Sequence, residues 1–196
     1  MLVHPQEIDF GRLDAGTESG HESFVIVNTG DEDLLIFAPD LVSGNVRFEI
    51  DEYEQEEYVI PGGELLEVNV YYIPETYETN GAYVSVVGND EGNPSIDVLL
   101  SGGGDAPVMT VSPEEFDYGE ISIGCDNEER ITIRNDGNQD LVIETVSQMV
   151  TQPADILMEM GSLPEPPWTI LPGNELDFLV SYIPTDIGLD ESQIEI

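Results

Sequence analysis

Apolar and polar residues alternate with a period of two along two separate stretches of this chain. In the first stretch, Leu66, Val68, Val70 and Tyr72 are separated by single residues that are mostly polar. The second stretch repeats the pattern 110 residues later, with Leu176, Phe178, Val180 and Tyr182. Side chains on a β-strand point to opposite faces in turn, so this period predicts two strands, each with one face in a core.

Six further segments of the first half are rich in β-branched and aromatic residues and also predict strands. They are residues 8–10, 23–28, 34–37, 46–50, 83–87 and 96–100. Turn-forming residues separate them, at 28–30, 61–63 and 80–81. No long window has the period of a helix, and 19 glycines with 13 prolines favour a turn-rich protein. The pattern predicts an all-β protein whose short strands form a two-sheet sandwich.

Four landmarks occur twice in the same order, at offsets of 107 to 111 residues. The pairs are residues 5–11 with 113–119, 28–36 with 135–143, 61–65 with 172–176, and 72–74 with 182–184. Ordered self-similarity of this kind indicates a duplicated module. Residues 101–107, with three glycines and a proline, are the predicted junction. We therefore predict one domain over residues 1–104 and a second over residues 105–196.

The second copy has no counterpart of the predicted strand 96–100. At the offset of 110, Val84 and Val86 correspond to Ile194 and Ile196, where the sequence ends. The expectation is a second sandwich truncated at its C-terminal side, in a segment of a longer polypeptide. A missing strand leaves a neighbouring sheet edge exposed.

The duplicated motifs resemble a known family. PEEFDYG, then NDG followed by two polar residues and LVI, then LPG and YIP, is similar to the Ig-like ASH/Hydin family, whose bacterial members include the choice-of-anchor D surface modules. The resemblance spans essentially the whole chain, twice, although the family pattern usually has Phe where Tyr72 and Tyr182 stand. It implies two tandem immunoglobulin-like β-sandwiches, the second lacking its last strand, with no inter-sheet disulfide and no shared catalytic residues. It also implies cilia and centrosomes for eukaryotic members, and secreted or surface-attached arrays for bacterial ones.

The repeated motif residues have physical roles that do not depend on the family. In the turns at 28–30 and 135–137, Gly is expected to supply a positive φ and Asn to hydrogen-bond the turn backbone. Tyr58 and Trp168, just before the Pro-Gly turns, are expected to cap the core with an aromatic ring.

The charge balance narrows the range of partners. Asp and Glu number 42 against four basic residues, all of them Arg, which gives a formal net charge of -38. Nucleic-acid binding and a polybasic membrane anchor both need clustered cations, so this composition argues against them. No apolar run approaches the roughly 20 residues that span a bilayer, and the first five residues do not resemble a signal peptide. Such acidity is best tolerated where salt screens it, which favours a saline, extracellular or halophilic setting.

The densest acidic clusters are the candidate metal ligands. They lie at residues 31–33, 51–57 and 126–129. Calcium takes six to eight oxygens, yet no cluster has the spacing of a calcium-binding loop. The second copy also replaces Asp31 and Glu32 with Asn138 and Gln139. The clusters therefore favour a solvated acidic face, with calcium kept as the alternative, and no residue is predicted as a metal ligand or cofactor contact.

The sequence contains no residue pattern typical of a catalytic site. His4 and His21 lie in the first copy and Cys125, the single cysteine, lies in the second. The acids beside Cys125 should lower its reactivity; an intermolecular disulfide is the alternative role. A glycosidase needs a pair of carboxylates, but with 42 acidic residues in the chain, finding such pairs in the sequence is no evidence for one. An acidic-cleft hydrolase therefore remains an alternative, which the presence or absence of a cleft would test. No catalytic residue is predicted.

These observations predict a non-catalytic structural spacer or adhesion repeat of a larger secreted or bacterial cell-surface protein. Its expected partners are flanking domains of the same polypeptide, with other surface proteins or a polysaccharide as further candidates. Two alternatives remain: a Ca²⁺-dependent adhesin with metal in its acidic loops, and a cytoskeletal or ciliary ASH interaction module. The absence of Lys counts against the ciliary alternative.

Overall fold

The computed structural model describes residues 1–42, 47–51, 55–150, 155–159 and 163–196, and every regular element in them is a β-strand. None of the described segments is a helix with the length and hydrophobicity needed to cross a membrane. The chain divides into two compact units, Met1–Asp105 and Ala106–Ile196.

The described residues of the first unit form ten strands. They are β1 (Leu2–His4), β2 (Glu7–Asp14), β3 (Glu22–Val27), β4 (Leu34–Phe37), β5 (Asp40–Val42), β6 (Phe48–Ile50), β7 (Glu57–Ile60), β8 (Leu65–Tyr72), β9 (Thr79–Val87) and β10 (Ser95–Asp105). One sheet has the order β1-β3-β8-β6, a second has the order β2-β10-β9-β5, and β4 pairs with β7. All pairs are antiparallel except β2 with β10, which is parallel.

The core of the first unit lies between its two large sheets. Phe24 and Val68 enter it from the first sheet, and Val84 and Val98 from the second, all fully buried. Inward side chains alternate with outward ones along both sheets, as the period of two predicted. The unit is therefore a β-sandwich closed around one apolar cluster.

The described residues of the second unit form eight strands, each with a counterpart in the first unit. They are β11 (Met109–Ser112), β12 (Asn127–Asn135), β13 (Leu141–Ile143), β14 (Ser147–Val150), β15 (Ile156–Glu159), β16 (Trp168–Ile170), β17 (Glu175–Tyr182) and β18 (Ser192–Glu195). The sheet β11-β12-β17-β15 reproduces β1-β3-β8-β6, β13 with β16 reproduces β4 with β7, and β14 with β18 reproduces β5 with β9. Register is also kept: Phe24 faces Val68 in one unit, and Ile131 faces Phe178 in the other.

Two strands of the first unit have no counterpart in the described part of the second. The segment 115–122, which corresponds to β2, is not a strand, and no strand takes the place of β10. The architecture is thus two tandem immunoglobulin-like β-sandwiches, all-β, and the described residues of the second contain no last strand, as predicted.

The predicted glycine-rich junction needs a correction. Gly102, Gly103 and Gly104 are buried residues of β10, not a turn. A Cβ atom on Gly102 would lie 2.6 Å from the ring of Tyr72, and one on Gly104 would lie 1.7 Å from the carbonyl oxygen of Thr76. These glycines therefore allow a strand to pass directly over the core. Similarly, Gly81, placed in a turn by its sequence, is a β9 residue paired with Ser101.

The predicted strand 46–50 is β6, and its first residue, Val46, lies outside the described residues. Three short strands of the first unit, β1, β5 and β7, were not predicted. Each has at most four residues, too few for a periodic pattern to be recognised.

An asparagine joins the same turn to the same strand in both units. The side-chain amide of Asn28 donates to the carbonyls of Glu32 (2.7 Å) and Ile60 (2.8 Å), and that of Asn135 donates to Gln139 (2.7 Å) and Ile170 (2.8 Å). Both asparagines are buried. The predicted hydrogen bonding of the turn backbone is confirmed.

The glycines that follow these asparagines do not behave as predicted. Gly30 and Gly137 do not have positive φ; that conformation occurs instead at Gly63 (81°) and Gly173 (76°) in the Pro-Gly turns. At Gly137 the requirement is for space, because a Cβ atom would lie 2.3 Å from the carbonyl oxygen of Ala106.

Candidate functional site

The second unit has one side on which its sheet is incomplete. We call this the open side and define it by the segment 115–122 and by the edge of β18 that does not pair with β14. In the described residues no strand lies between these two borders. A sheet edge carries a row of backbone donors and acceptors that another strand can use.

In the first unit β10 fills the equivalent space. It runs parallel to β2, where Leu100 is level with Ile8, and antiparallel to β9, where Val98 is level with Val84. Val98 and Leu100 are buried, with 0% and 2% of their surface exposed. One strand therefore completes both the hydrogen bonding and the core on this side.

Without such a strand, apolar residues of the second unit are uncovered. Phe116 has 50% of its surface exposed, whereas Ile8 at the equivalent position has 6%. Ile194 and Ile196 are half-buried, whereas the equivalent Val84 and Val86 are fully buried. The open side is thus an apolar surface as well as an unpaired edge.

The segment 115–122 has no strand partner, but its Tyr118 is held against β17. The hydroxyl of Tyr118 donates to the carbonyl oxygen of Val180 at 2.6 Å, a bond that the equivalent Phe10 cannot form. Its ring lies 5.3 Å from that of Tyr182, close to the 5.8 Å between Phe10 and Tyr72. Burial raises the pKa of Tyr118, followed by the nearby Glu129 and Asp126 carboxylates. Tyr118 therefore holds the segment 115–122, one border of the open side, against β17.

Tyr182 lies beneath the open side, and its hydroxyl has a different hydrogen-bond partner from that of the equivalent Tyr72. The hydroxyl of Tyr72 accepts a hydrogen bond from the amide of Asn80 at 2.8 Å, under Gly102 of β10. The hydroxyl of Tyr182 instead donates to the carboxylate of Asp190 at 2.7 Å. That hydrogen bond raises the pKa of Tyr182 to about 12, because the phenolate would face a carboxylate. For Tyr72, burial raises the pKa and the Asn80 hydrogen bond lowers it.

At one end of the open side, the second unit has an acidic residue where the first unit has a basic one. In the first unit, Nε of Arg12 lies 2.6 Å from Oδ1 of Asp105, and the guanidinium also bonds the carbonyl oxygen of Gly104. Arg12 therefore holds the last residues of β10. The equivalent residue of the second unit is Glu120, which is exposed.

The acidic clusters considered as metal ligands remain on the surface. Residues 31–33 and 126–128 are exposed, and Glu129 is half-buried in β12. Of the cluster 51–57, residues 52–54 lie outside the described residues. In the described part of the chain no three His, Cys, Asp or Glu side chains are grouped in a way that could hold a metal ion.

The other singled-out residues have ordinary surroundings. Cys125 is exposed and in the reduced form, and His21 stacks on Tyr71 with ring centroids 5.2 Å apart. Trp168 is buried and donates its indole N–H to the carbonyl oxygen of Pro164 at 2.6 Å, and Tyr58 packs against the first core. The predicted packing of these two rings is confirmed.

A depression on the first unit was considered as a site for the hydrolase alternative. It has a volume of about 420 Å³ and lies on the outer side of β9 and β10, lined by Val42, Tyr83, Leu99 and Glu7 among others. Glu7 is the one carboxylate among its lining residues. Glycoside hydrolysis needs two carboxylates across a cleft, so this depression does not have that arrangement.

No family model matches the chain, and no curated protein matches it. Several solved structures are similar at low identity. A PapD-like domain (ASH / PapD-like domain 7) of human CEP192 has a TM-score of 0.41 and 13% identity over 53% of this chain and 83% of that one. A protein of unknown function from Porphyromonas gingivalis W83 has a TM-score of 0.43 and 17% identity over 93% and 82% of the two chains. The CupB2 chaperone of Pseudomonas aeruginosa has a TM-score of 0.38 and 10% identity over 98% of each.

Proposed function

We propose that this chain is a non-catalytic structural or adhesive repeat, acting as an interaction module within a larger secreted or bacterial cell-surface protein of the choice-of-anchor D kind. The observation that carries the proposal is the duplication of one sandwich. Each copy has its own apolar core and its own buried asparagine, Asn28 or Asn135, which joins a turn to a strand. The apolar cluster of each copy is made of that copy's own residues, which is what allows such modules to be joined in series.

The charge supports a saline, extracellular setting for this repeat. Four arginines, each paired with a carboxylate, stand against 42 acids. Self-repulsion opposes the compact state at low ionic strength and weakens as the Debye length falls from about 10 Å at 0.1 M salt to about 3 Å at 1 M. The fold should therefore need screening more than it needs any particular ion.

The test is thermal unfolding of the 196-residue chain in NaCl, MgCl₂ and CaCl₂ at matched ionic strengths. The unfolding midpoint should rise with ionic strength and should be the same in calcium as in magnesium. A midpoint that calcium raises more than magnesium would favour the Ca²⁺-dependent adhesin instead.

A matched variant identifies the ligands if calcium is selective. Asp31→Asn with Glu32→Gln gives the first unit the residues that the second unit has at 138 and 139. Under the structural proposal the variant unfolds slightly higher at low salt and equally at high salt. Loss of a calcium-specific rise in this variant would instead locate a metal site in residues 31–33.

A further inference from the structure

The depression on the outer side of β9 and β10 lies over an apolar row that crosses the sheet of the first unit. Val42 of β5 is level with Tyr83 of β9, which is level with Leu99 of β10. Glu7 of β2 is level with Leu99 and ends the row. All four residues are exposed and line the depression. The row therefore combines an exposed aromatic ring with apolar neighbours and a carboxylate.

A glycine opens the depression beside the aromatic ring. Gly81 lies two residues before Tyr83 on β9, so a side chain at that position would stand on the same outer face. Among the described residues, the nearest contact of a Cβ atom on Gly81 would be the carbonyl oxygen of Leu100 at 3.7 Å, an ordinary distance, and the φ of Gly81 is not positive. Packing requires Gly102 and Gly104 but not Gly81. Because a glycine weakens a strand, one that packing does not require is typical of a point where a ligand comes close to the backbone.

Polar side chains lie on both sides of the apolar row. Ser101 and Asp9 are level with each other on one side of it, and Ser85 and Asp97 are level with each other on the other side. The depression itself has a volume of about 420 Å³, which is within the range of sites for small ligands. An apolar floor with a few hydroxyls and carboxylates at its border is the composition of such a site.

The charge of this face favours a cationic ligand. Glu7, Asp9 and Asp97 are exposed carboxylates on it. Arg12 is the one basic residue in β2, β5, β9 and β10, and its guanidinium is bound to Asp105. Complementary charge therefore favours a protonated amine and disfavours sulfate, phosphate or a uronic acid.

A ligand at this position must be recognised by side chains. Both β9 and β10 pair with a strand on each side, so their backbone groups are used within the sheet and cannot bind a peptide by strand addition. A sugar has a C–H face that can lie on an aromatic ring, and hydroxyls that can bind serine and carboxylate oxygens. We propose that this face binds a polysaccharide with free amino groups, with one sugar ring on Tyr83 above Gly81 and its protonated amine beside Glu7. This inference rests on the adhesive form of the proposed function and gives the class of its ligand.

The experiment measures the binding of three labelled hexasaccharides to the whole 196-residue chain. They are linear oligomers of glucosamine, N-acetylglucosamine and glucose with the same linkage, which differ only in the group at C2. At about pH 5.5, where the carboxylates are ionised and the sugar amine is protonated, the glucosamine oligomer should bind about fivefold more tightly than the other two, the effect of an exposed ion pair. Glu7→Gln should remove this preference, whereas Glu91→Gln, an equal change of charge on an exposed loop, should not.

Two variants that keep the net charge separate a site from general attraction of a cationic sugar to an acidic protein. Tyr83→Gln gives the first unit the residue that the second unit has at 193, and it should weaken the binding of all three oligomers about tenfold. Gly81→Thr fills the depression with a residue that strands favour, so it should abolish binding without lowering the free energy of unfolding. Tyr77→Gln, at a similarly exposed tyrosine outside the depression, is the matched control and should leave binding unchanged.

Four outcomes would overturn the proposal. One is no binding of any oligomer at about 1 mM, the limit of weak association. The second is binding that Gly81→Thr and Tyr83→Gln do not change, which would show general attraction only. The third is equal binding of the three oligomers, which would exclude the amine as the recognised group. The fourth is tighter binding, lost in Gly81→Thr, of a peptide of alternating Lys and Leu, which would identify a protein partner.

Failure of this inference is distinguishable from failure of the proposed function. A chain whose unfolding midpoint rises with ionic strength but which binds none of the oligomers keeps its role as a structural repeat and loses only this ligand. A chain that binds the glucosamine oligomer through Tyr83 but is stabilised selectively by calcium keeps the ligand, and its role as a repeat that needs only screening is then wrong.

Discussion

The two units share a sequence motif but not the structure that it forms. PQEIDFG begins at residue 5 and includes the start of β2, whereas PEEFDYG begins at residue 113 and forms no strand. The local conformation is nevertheless the same, because Gly11 and Gly119 have φ of 68° and 69°. In both, the aspartate two residues earlier accepts a hydrogen bond from the glycine N–H. The motif therefore determines the local backbone conformation at its glycine, and only a neighbouring strand makes the segment part of a sheet.

The same difference extends into the core. Among the residues that the structure describes, fifteen buried apolar side chains form the cluster of the first unit and six form that of the second. The sheet that contains β12 and β17 is conserved in order and register, yet its Val111, Ile131 and Ile156 are only half-buried, whereas the equivalent residues of the first unit are buried, so the loss extends beyond the side where β10 is missing.

The largest effects are expected where the two units are alike. Asn28→Ala and Asn135→Ala each remove two bonds to carbonyls that a buried amide satisfies, and each should lower the free energy of unfolding of its own unit by about 2–4 kcal/mol. Denaturant titration would measure the change, with the single Trp168 reporting the second unit and hydrogen exchange in β9 reporting the first.

The control for this pair is Asn93→Ala, an exposed loop residue, which should change stability by less than about 0.5 kcal/mol. If the two variants lost unfolding free energies that differed by more than about a factor of two, the hydrogen bonds of Asn28 and Asn135 would not stabilise the two units in the same way.

The next effect is a difference between the two copies of the motif, in how much stability each loses when its apolar side chain is removed. Ile8→Ala deletes a side chain that is 6% exposed and should destabilise the first unit by about 2–4 kcal/mol. Phe116→Ala deletes a larger side chain that is 50% exposed and should destabilise the second by less than about 1.5 kcal/mol. The same denaturant titrations measure both. If Phe116→Ala were the more damaging, the open side would already be covered in the free protein.

The smallest effect is a pH dependence of the second unit that comes from the hydrogen bond between Tyr182 and Asp190. The folded pKa of Tyr182 is about 12 against an ordinary value of 10.0, so the stability from its bond to Asp190 is complete below pH 10 and is lost as the pH rises through 12. Asp190→Asn should lower the pKa of Tyr182 toward 10.0 and reduce that loss, as measured by ultraviolet difference titration.

The matched change in the first unit is Asn80→Asp, which gives Tyr72 the partner that Tyr182 has. It should raise the pKa of Tyr72 further, because a carboxylate then lies beside the hydroxyl. Identical titrations of Asp190→Asn and the unchanged chain would show that the carboxylate is not what distinguishes the two tyrosines.

Several features of the fold were predictable from residue patterns. The period of two around Val68 and Phe178 identified the central strands, and the repeated Asn28 and Asn135 identified the turns that they close. The glycines were misassigned, since Gly102 looks like part of a linker when its neighbours in space are unknown. The open side was predictable only in outline, because the sequence shows a missing strand but not what its absence uncovers.

By itself, the sequence determined the duplication, the all-β class, the turns at Asn28 and Asn135 and the acidic surface, because each depends on the order of neighbouring residues or on their sum. Only the tertiary structure decided that three consecutive glycines form a buried strand, that one copy of a motif is a strand and the other is not, and that Tyr182 lies beneath an uncovered edge. Those features depend on backbone and ring atoms distant in sequence, since β-pairing is made between segments that the chain brings together only when it folds.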